Sequence, residues 1–366
     1  MIVPLVVAIA LLYQCTALLA ALRHALRREP PPSRFPKISL LKPLHGLDPG
    51  FREAARSHAL QQYPDFEILF GVRHAGDPAA AEVERLRLEF PDRPIRLIEC
   101  PARAPNGKVG VLIALAREAR GEVLLINDSD VTVPPDYLRR VVAPLENAAV
   151  GVVTCLYRGT AATLPGRWEA LGIATDFVPS VLVAPLAGVK DSGLGATLAF
   201  RDEDLRRSGG LEPVAEYLAD DNVLARRIAR LGLRTHLSSL VVTTGLQAAN
   251  WGDVWRHQVR WHRTVRVTNL PGYLGLPVTF ATLWSLAAAM AGWPGLALAL
   301  LSARMAMAIA AGVAAVRCPV TVRYWPLVPL RDLWGVAVWL AGLFGDTVVW
   351  RGHRLRLGSG GRIISG

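Results

Sequence analysis

Residues 122–130 constrain this chain more than any other stretch. An apolar run, Val123-Leu124-Leu125-Ile126, stops at Asn127-Asp128-Ser129-Asp130 and resumes as Val131-Thr132-Val133 before Pro134-Pro135. A short run with no polar alternation is the pattern of a strand buried on both faces, as in a parallel sheet. Acids directly after such a strand fall at its carboxyl edge, where open α/β sheets hold their ligands. Asp128 and Asp130 are two residues apart at a strand-to-loop bend. Their hard oxygens suit one divalent cation, Mg²⁺ or Mn²⁺, whose other positions are left for a diphosphate. The same residues also suit a solvated turn, because D-x-D is a short and common pattern.

The flanking sequence alternates strands and helices. Residues 37–41, 66–72 and 95–99 read as strands, and 48–62, 79–90 and 108–119 as helices, with Asp48 as cap and Pro49 in the first turn of the first helix. This order predicts an α/β domain with a mostly parallel sheet covered by helices on both faces. Residues 150–157 read as a further strand, and the apolar stretch 168–185 reads as a continuation of the same domain. Gly193 and Gly195 suggest backbone lying close to a ligand. Asp220-Asp221 precede a helix through Leu231, which Gly232 ends, and on the sequence alone either acid suits the cap of that helix as well as a catalytic base.

Both ends of the chain are hydrophobic, and at 366 residues, 52% of them apolar, there is room for one large domain plus membrane segments. Residues 2–22 form an uncharged apolar run followed by Arg23, His24, Arg27 and Arg28. That flank predicts an uncleaved anchor with the next domain on the cytoplasmic side. Pro30-Pro31-Pro32 is a stiff spacer. Residues 251–267 place Trp251, Val254, Trp255, Gln258, Trp261 and Val265 on one helix face among Arg256, Arg260, Arg263 and Arg266. Such a helix either lies in the headgroup layer or packs on the domain, and the hydrophobic segments after it favour the membrane.

Residues 272–292 and 294–316 read as two spans. A third apolar stretch, 325–350, contains Arg331, Asp332 and Asp346. A full crossing there would put Arg351, Arg354 and Arg356 outside, against the positive-inside rule. A re-entrant or bent segment with Arg331 paired to Asp332 is expected instead. The linear divisions are therefore an anchor at 1–29, the α/β domain at 30–250, the interfacial helix at 251–270 and C-terminal membrane segments at 271–366.

The formal net charge of +11 is carried by arginines concentrated beside hydrophobic segments. This favours anionic headgroups and phosphorylated substrates, and no nucleic-acid-binding module is recognisable. Cys15, Cys100, Cys155 and Cys318 show no C-x-x-C spacing and read as free thiols in a reducing compartment.

Six stretches carry a resemblance that runs over nearly the whole chain: Leu41-Lys42-Pro43-Leu44-His45-Gly46 with Asp48-Pro49, Asp77-Pro78, Asn106-Gly107-Lys108, Asp128-Ser129-Asp130, Leu218-Ala219-Asp220-Asp221, and Gln258-Val259-Arg260-Trp261. In order and spacing they resemble the inverting, nucleotide-sugar-dependent glycosyltransferases of family 2 and the related family 21, which includes the ceramide glucosyltransferases. They are also similar to the bacterial enzymes that add N-acetylglucosamine to bacteriohopanetetrol. The resemblance implies a GT-A fold in which Lys42, Pro43 and Asp77 edge the uridine pocket and Asp128 and Asp130 hold the metal at the diphosphate. It further implies Asp221 as the base, and Arg260 and Trp261 on the diphosphate and acceptor side. Two positions depart from the family pattern. His257 stands three residues before Arg260 in place of Gln or Arg, and Asn222 follows Asp221 in place of an aromatic residue.

The chemistry agrees with that implication. Breaking a sugar-phosphate bond requires the departing diphosphate to be stabilised, and a hydroxyl nucleophile requires a base on the opposite face of the sugar. Lys108, in a glycine-containing loop, is placed for phosphate. The resulting expectation is transfer of glucose or N-acetylglucosamine from UDP-glucose or UDP-N-acetylglucosamine to the hydroxyl of a membrane lipid, ceramide or bacteriohopanetetrol, at a bacterial-type inner membrane. Two other readings stand beside it. One is a processive polysaccharide synthase, for which the few spans offer little channel. The other is a non-catalytic membrane receptor for nucleotide sugars or anionic lipid.

Overall fold

The four apolar residues of 123–126 form a strand whose side chains point alternately into two cores. Val123 and Leu125 join a cluster with Ile38, Leu40, Ile68 and Phe70, while Leu124 and Ile126 join one with Leu41, Leu69, Val111 and Leu115. Both faces are thus apolar because both are covered, and each such side chain contributes roughly 1.5–3 kcal/mol of burial. The structure is a computed structural model that describes residues 2–101, 104–350 and 352–365.

Eight strands make the main sheet: β1 (Ile38–Pro43), β2 (Phe66–Val72), β3 (Ile95–Glu99), β4 (Val123–Ile126), β5 (Val131–Thr132), β6 (Val150–Thr160), β7 (Leu198–Arg201) and β8 (Arg234–Gly245). Their order is β3-β2-β1-β4-β7-β6-β8-β5. The first four are mutually parallel, and β7 pairs antiparallel with both β4 and β6. The parallel half is built from the strand and helix alternation read in the sequence. Helices Pro78–Glu89 and Gly107–Glu118 begin at the side-chain caps Asp77 and Asn106. The first helix of the domain differs from expectation. It starts at Phe51 after Gly50, whose φ of 82° is left-handed, and Asp48 accepts a hydrogen bond from Ser129 Oγ at 2.5 Å instead of capping.

The chain forms two compact units. One comprises 28–157 and 189–245, and the other 1–27, 158–188 and 246–366. Residues 158–188, which the linear reading runs on with the α/β domain, belong to the second unit. Leu164–Ala187 is a 24-residue helical stretch apolar enough to cross a membrane, as are Ile2–Leu26 and Pro294–Ala315. Residues 272–292, expected as a span, hold a helix pair, Leu270–Thr279 and Ala281–Met290, that is apolar enough to cross as one broken span and is bent by 54°.

The stretch 325–350 holds a helix, Val328–Gly342, of only 15 residues. At about 22 Å it is too short to cross alone. A small antiparallel sheet follows, of β9 (Thr347–Trp350), β10 (His353–Leu357) and β11 (Ile363–Ser365). Arg331 and Asp332 do not pair with each other as expected. Arg331 Nε donates to Asp176 Oδ2 at 2.9 Å, and Asp332 Oδ1 receives Arg304 Nη2 at 2.7 Å. Neighbouring residues on a helix point about 100° apart, so each meets a different helix. Arg351 lies outside the described residues.

Helix Trp251–Thr268 opens with a capping box of Asn250 and Asp253. Its tryptophans do not all face outward. Trp251 and Trp255 lie edge-on or tilted against Trp334, and Trp168 packs on both Trp251 and Trp334. The helix is therefore packed within its own unit, although Trp251 remains 45% exposed.

One glycine tests the sheet packing. A Cβ on Gly121, just before β4, would sit 2.5 Å from the backbone nitrogen of Ser39 in β1. Gly121→Ala should lower unfolding stability by about 1–3 kcal/mol, measured by denaturant titration, because backbone rather than a side chain must move.

Candidate active site

The carboxyl end of β4 is held from behind. Lys42, the fifth residue of β1, is fully buried, and its Nζ donates to Asn127 Oδ1 and to the Asp128 carbonyl, both at 2.8 Å. Asn127 in turn donates through Nδ2 to His58 Nε2 at 2.9 Å. Burial pulls the Lys42 ammonium down to about 7, against the raising influence of Asp130 and Asp128. Lys42 thus braces the acidic loop instead of edging an open pocket, because the strand directs its side chain inward beneath the loop. Pro43, the last residue of β1, is half-buried.

In front of this support the acids diverge in setting. Asp130 Oδ2 accepts from Thr244 Oγ1 of β8 at 2.8 Å, and its carbonyl receives Gly245 N at 3.2 Å. Asp128 is the more open, with its side chain 44% exposed, and Oδ1 accepts from Lys108 Nζ at 2.7 Å. Lys108 also lies 3.6 Å from Asp220. Its position follows from Asn106, whose Oδ1 caps the helix and whose Nδ2 donates to the Tyr217 carbonyl at 2.8 Å. That bond draws the loop of 104–107 to the segment leading into helix Asp220–Ala229.

Asp220 and Asp221 occupy the first turn of that helix, and neither is its N-cap, which is Ala219. Gly195 shows how near Asp221 comes to the loop after β4. A Cβ on Gly195 would stand 3.2 Å from Asp221 Oδ2, 3.4 Å from Asp128 Oδ2 and 3.8 Å from Lys108 Nζ. The three side chains therefore converge on one small volume beside Gly195, a close approach of the kind the paired glycines of the sequence suggested. Burial, and then repulsion from Asp220, push the Asp221 carboxyl up to about 7 despite Lys108. Lys108 is held protonated by Asp128 and Asp220 in spite of its own burial.

Burial and the charge of Asp128 also raise Asp130. Two adjacent carboxylates that repel each other at a half-open edge are a donor set suited to a divalent cation. Among the described residues no group of three His, Cys, Asp or Glu side chains is arranged around a metal. Two carboxylates are the share a protein commonly supplies to Mg²⁺ when phosphates provide the rest.

Asp77, expected at the uridine pocket, is buried and committed within the chain. Oδ1 accepts from Ala79 N at 2.9 Å, capping the helix, and Oδ2 accepts from Gly46 N at 3.0 Å, fixing the loop after β1. Arg260 and Trp261 belong to the other unit. There the Trp261 ring packs against His257, with centroids 4.6 Å apart, and against Phe177. His257 pairs through Nδ1 with the buried Glu169. Sequence reasoning overlooked Asn127, His58 and Thr244, whose roles depend on contacts across strands. The position of Asn127 directly after the apolar run was the available signal.

Residues 2–363 match glycosyl transferase family 21. The chain belongs to that family. Among its relatives, ceramide glucosyltransferase 1 of Caenorhabditis elegans is 27% identical over 214 residues, covering 58% of this chain and 46% of the worm protein. A probable glycosyltransferase of Bacillus subtilis is 25% identical over 251 residues, covering 63% and 55%. The chain thus spans about half the length of these curated relatives. Of solved structures, a mannosyltransferase from Pyrobaculum calidifontis, in complex with GDP-mannose and Mn²⁺, aligns with a TM-score of 0.54. It is 20% identical and covers 93% of this chain and 99% of its own. The fold is the GT-A glycosyltransferase fold.

A carboxyl that keeps its proton up to about pH 7 accepts another only above that pH. The Asp221 carboxyl should therefore titrate with a midpoint near pH 7, followed by carboxyl carbon NMR. Asp220→Asn removes the repelling charge and should move that midpoint to lower pH.

Proposed function

We propose that this protein is an inverting glycosyltransferase that moves a hexose from a UDP-sugar to a hydroxyl of a membrane lipid. The observation that carries the reading is the convergence of Asp221, Asp128 and Lys108 around Gly195. A base and a diphosphate-facing acid on one crevice are the minimum equipment for direct displacement. The ceramide glucosyltransferase relatives and the helices that, among the described residues, are long and apolar enough to cross a membrane support a lipid acceptor. Ceramide with glucose, or bacteriohopanetetrol with N-acetylglucosamine, are the acceptor and donor pairs to test first. The α/β unit faces the cytoplasm of a bacterial-type inner membrane.

In this mechanism the acceptor hydroxyl lies between Asp221 and the anomeric carbon. Its oxygen attacks as Asp221 takes the proton, the bond from the anomeric carbon to the phosphate oxygen breaks, and its electron pair leaves with UDP. The proton ends on the Asp221 carboxyl, whose raised proton affinity suits that task. Attack opposite the leaving group inverts the anomeric centre without a covalent intermediate. Asp128 and Asp130 would hold Mg²⁺ or Mn²⁺, which when bound offsets the charge on the leaving diphosphate. Lys108 supplies a fixed positive charge beside Asp128, and the buried Lys42 keeps the loop from shifting as charge builds up. Arg260 and Trp261 serve the diphosphate and acceptor side, while Asp77 and Pro43 shape the nucleoside end from within the loop after β1.

Purified protein offered a panel of UDP-sugars with membrane lipid extracts should yield a glycolipid identified by mass. Asp221→Asn should retain metal-dependent UDP-sugar binding while turnover falls at least ~100-fold, within the range for loss of a general base. Unchanged turnover would remove Asp221 as base. Asp130→Asn should weaken donor binding in the presence of metal only, so equal binding with and without chelator in the unmutated protein would defeat the metal assignment.

A further inference from the structure

Beneath the acidic loop, the fully buried Asn127 sits between Lys42 on one side and His58 and Tyr137 on the other. An amide can stand in either of two orientations, which exchange its oxygen and its nitrogen. Lys42 Nζ offers only hydrogens, so it needs the oxygen. In the reverse orientation an NH2 group would face the ammonium, and Lys42 would lose one of the two acceptors that hold it. The partners on the far side decide which orientation is taken.

His58 is fully buried on helix Phe51–Ala59. Its Nδ1 lies 2.8 Å from the Ala54 carbonyl, which can only accept, so Nδ1 carries the proton. Burial, and then the charge of Lys42, hold the imidazole well below the usual histidine range. The ring is therefore neutral, and Nε2, 2.9 Å from Asn127 Nδ2, can only accept. Tyr137 acts in the same sense. Thr197 Oγ1 donates to the Ala196 carbonyl at 2.6 Å and so accepts from Tyr137 at 3.0 Å, which leaves the Tyr137 oxygen to accept from Asn127 Nδ2 at 3.3 Å.

Both Nδ2 hydrogens are thus engaged on this side, and Oδ1 is turned to Lys42. We infer that His58 is a positioning residue for the acidic loop, orienting Asn127 so that Lys42 Nζ is aimed at the Asp128 carbonyl. The loop that carries Asp128 and Asp130 then takes its place from a helix that holds neither acid. As a role toward a divalent cation this rests on the metal reading above, whereas the tautomer of His58 does not.

The test uses the full chain purified in detergent. Ring nitrogen NMR should show one histidine, absent from the His58→Phe spectrum, that is neutral and protonated on Nδ1. A ring protonated on Nε2 or on both nitrogens overturns the positioning role. His58→Phe keeps a flat ring and removes the acceptor. It should weaken UDP binding about tenfold when Mn²⁺ is present, the scale for a partner standing behind a metal ligand, and leave binding in chelator unchanged. His58→Gln, whose amide oxygen can accept from Asn127, should recover most of that loss. A residue serving the fold alone would lower binding equally with and without Mn²⁺. That result, or wild-type affinity in His58→Phe, overturns the positioning role and leaves the metal reading standing. UDP binding by the unmutated protein that does not depend on Mn²⁺ removes both together. If His58→Phe does not fold, the ring nitrogen spectrum, assigned with His58→Gln, decides.

Discussion

The α/β unit depends on the burial of β4 from both sides. A four-residue strand cannot slip in register when Val123 and Leu125 are locked into one core and Leu124 and Ile126 into the other. A slip of one residue would exchange the two faces. Because the strand cannot move, the residue after it has a fixed place, and Asn127 can be met by Lys42 and His58 at hydrogen-bond distance. The acidic loop therefore rests on a rigid floor, and pre-organisation of this kind lets charges stabilise a developing negative group without reorganising.

Both units gather charge in places where water is scarce, and they solve the problem differently. In the α/β unit Asp128, Asp130, Asp220 and Asp221 crowd together with Lys108 between two of them and Lys42 behind the loop. Burial first, and the repulsion of neighbouring acids after it, raise proton affinity at Asp130, Asp220 and Asp221. An excess of negative charge of this kind favours the uptake of a cation or a proton. In the membrane-associated unit two arginines answer two aspartates with nearly complete hydrogen bonding. Balance is required there, since an uncompensated charge among apolar helices would cost several kcal/mol.

Much of the α/β unit was legible in advance. The bounds of β2, β3 and β4 and the helices on either side of them follow from apolar runs and caps, which are local signals. The pairing of Gly195 with Asp221 was half legible, as the glycines announced a close approach without naming what approached. Asp48 was misread as a cap because the sequence preceding Phe51 satisfies the capping rule. The hydrogen bond to Ser129 that takes it elsewhere comes from a residue 81 positions away. The apolar stretch 168–185 was read as a continuation of the α/β domain because it follows the strands of that domain in sequence, whereas residues 158–188 belong to the other unit.

The sequence by itself determined the fold class, the family and the placement of acids at the carboxyl edge of a buried strand, because these depend on periodicity and on residue type at short range. The tertiary structure decided which partner each charged group takes. Lys42 turned from an expected pocket edge into a buried brace, Asp77 into a cap that ties two loops, and Arg331 from Asp332 to Asp176. A side chain's partner is set by what the fold brings within about 3 Å of it, and spacing along the chain carries no record of that distance.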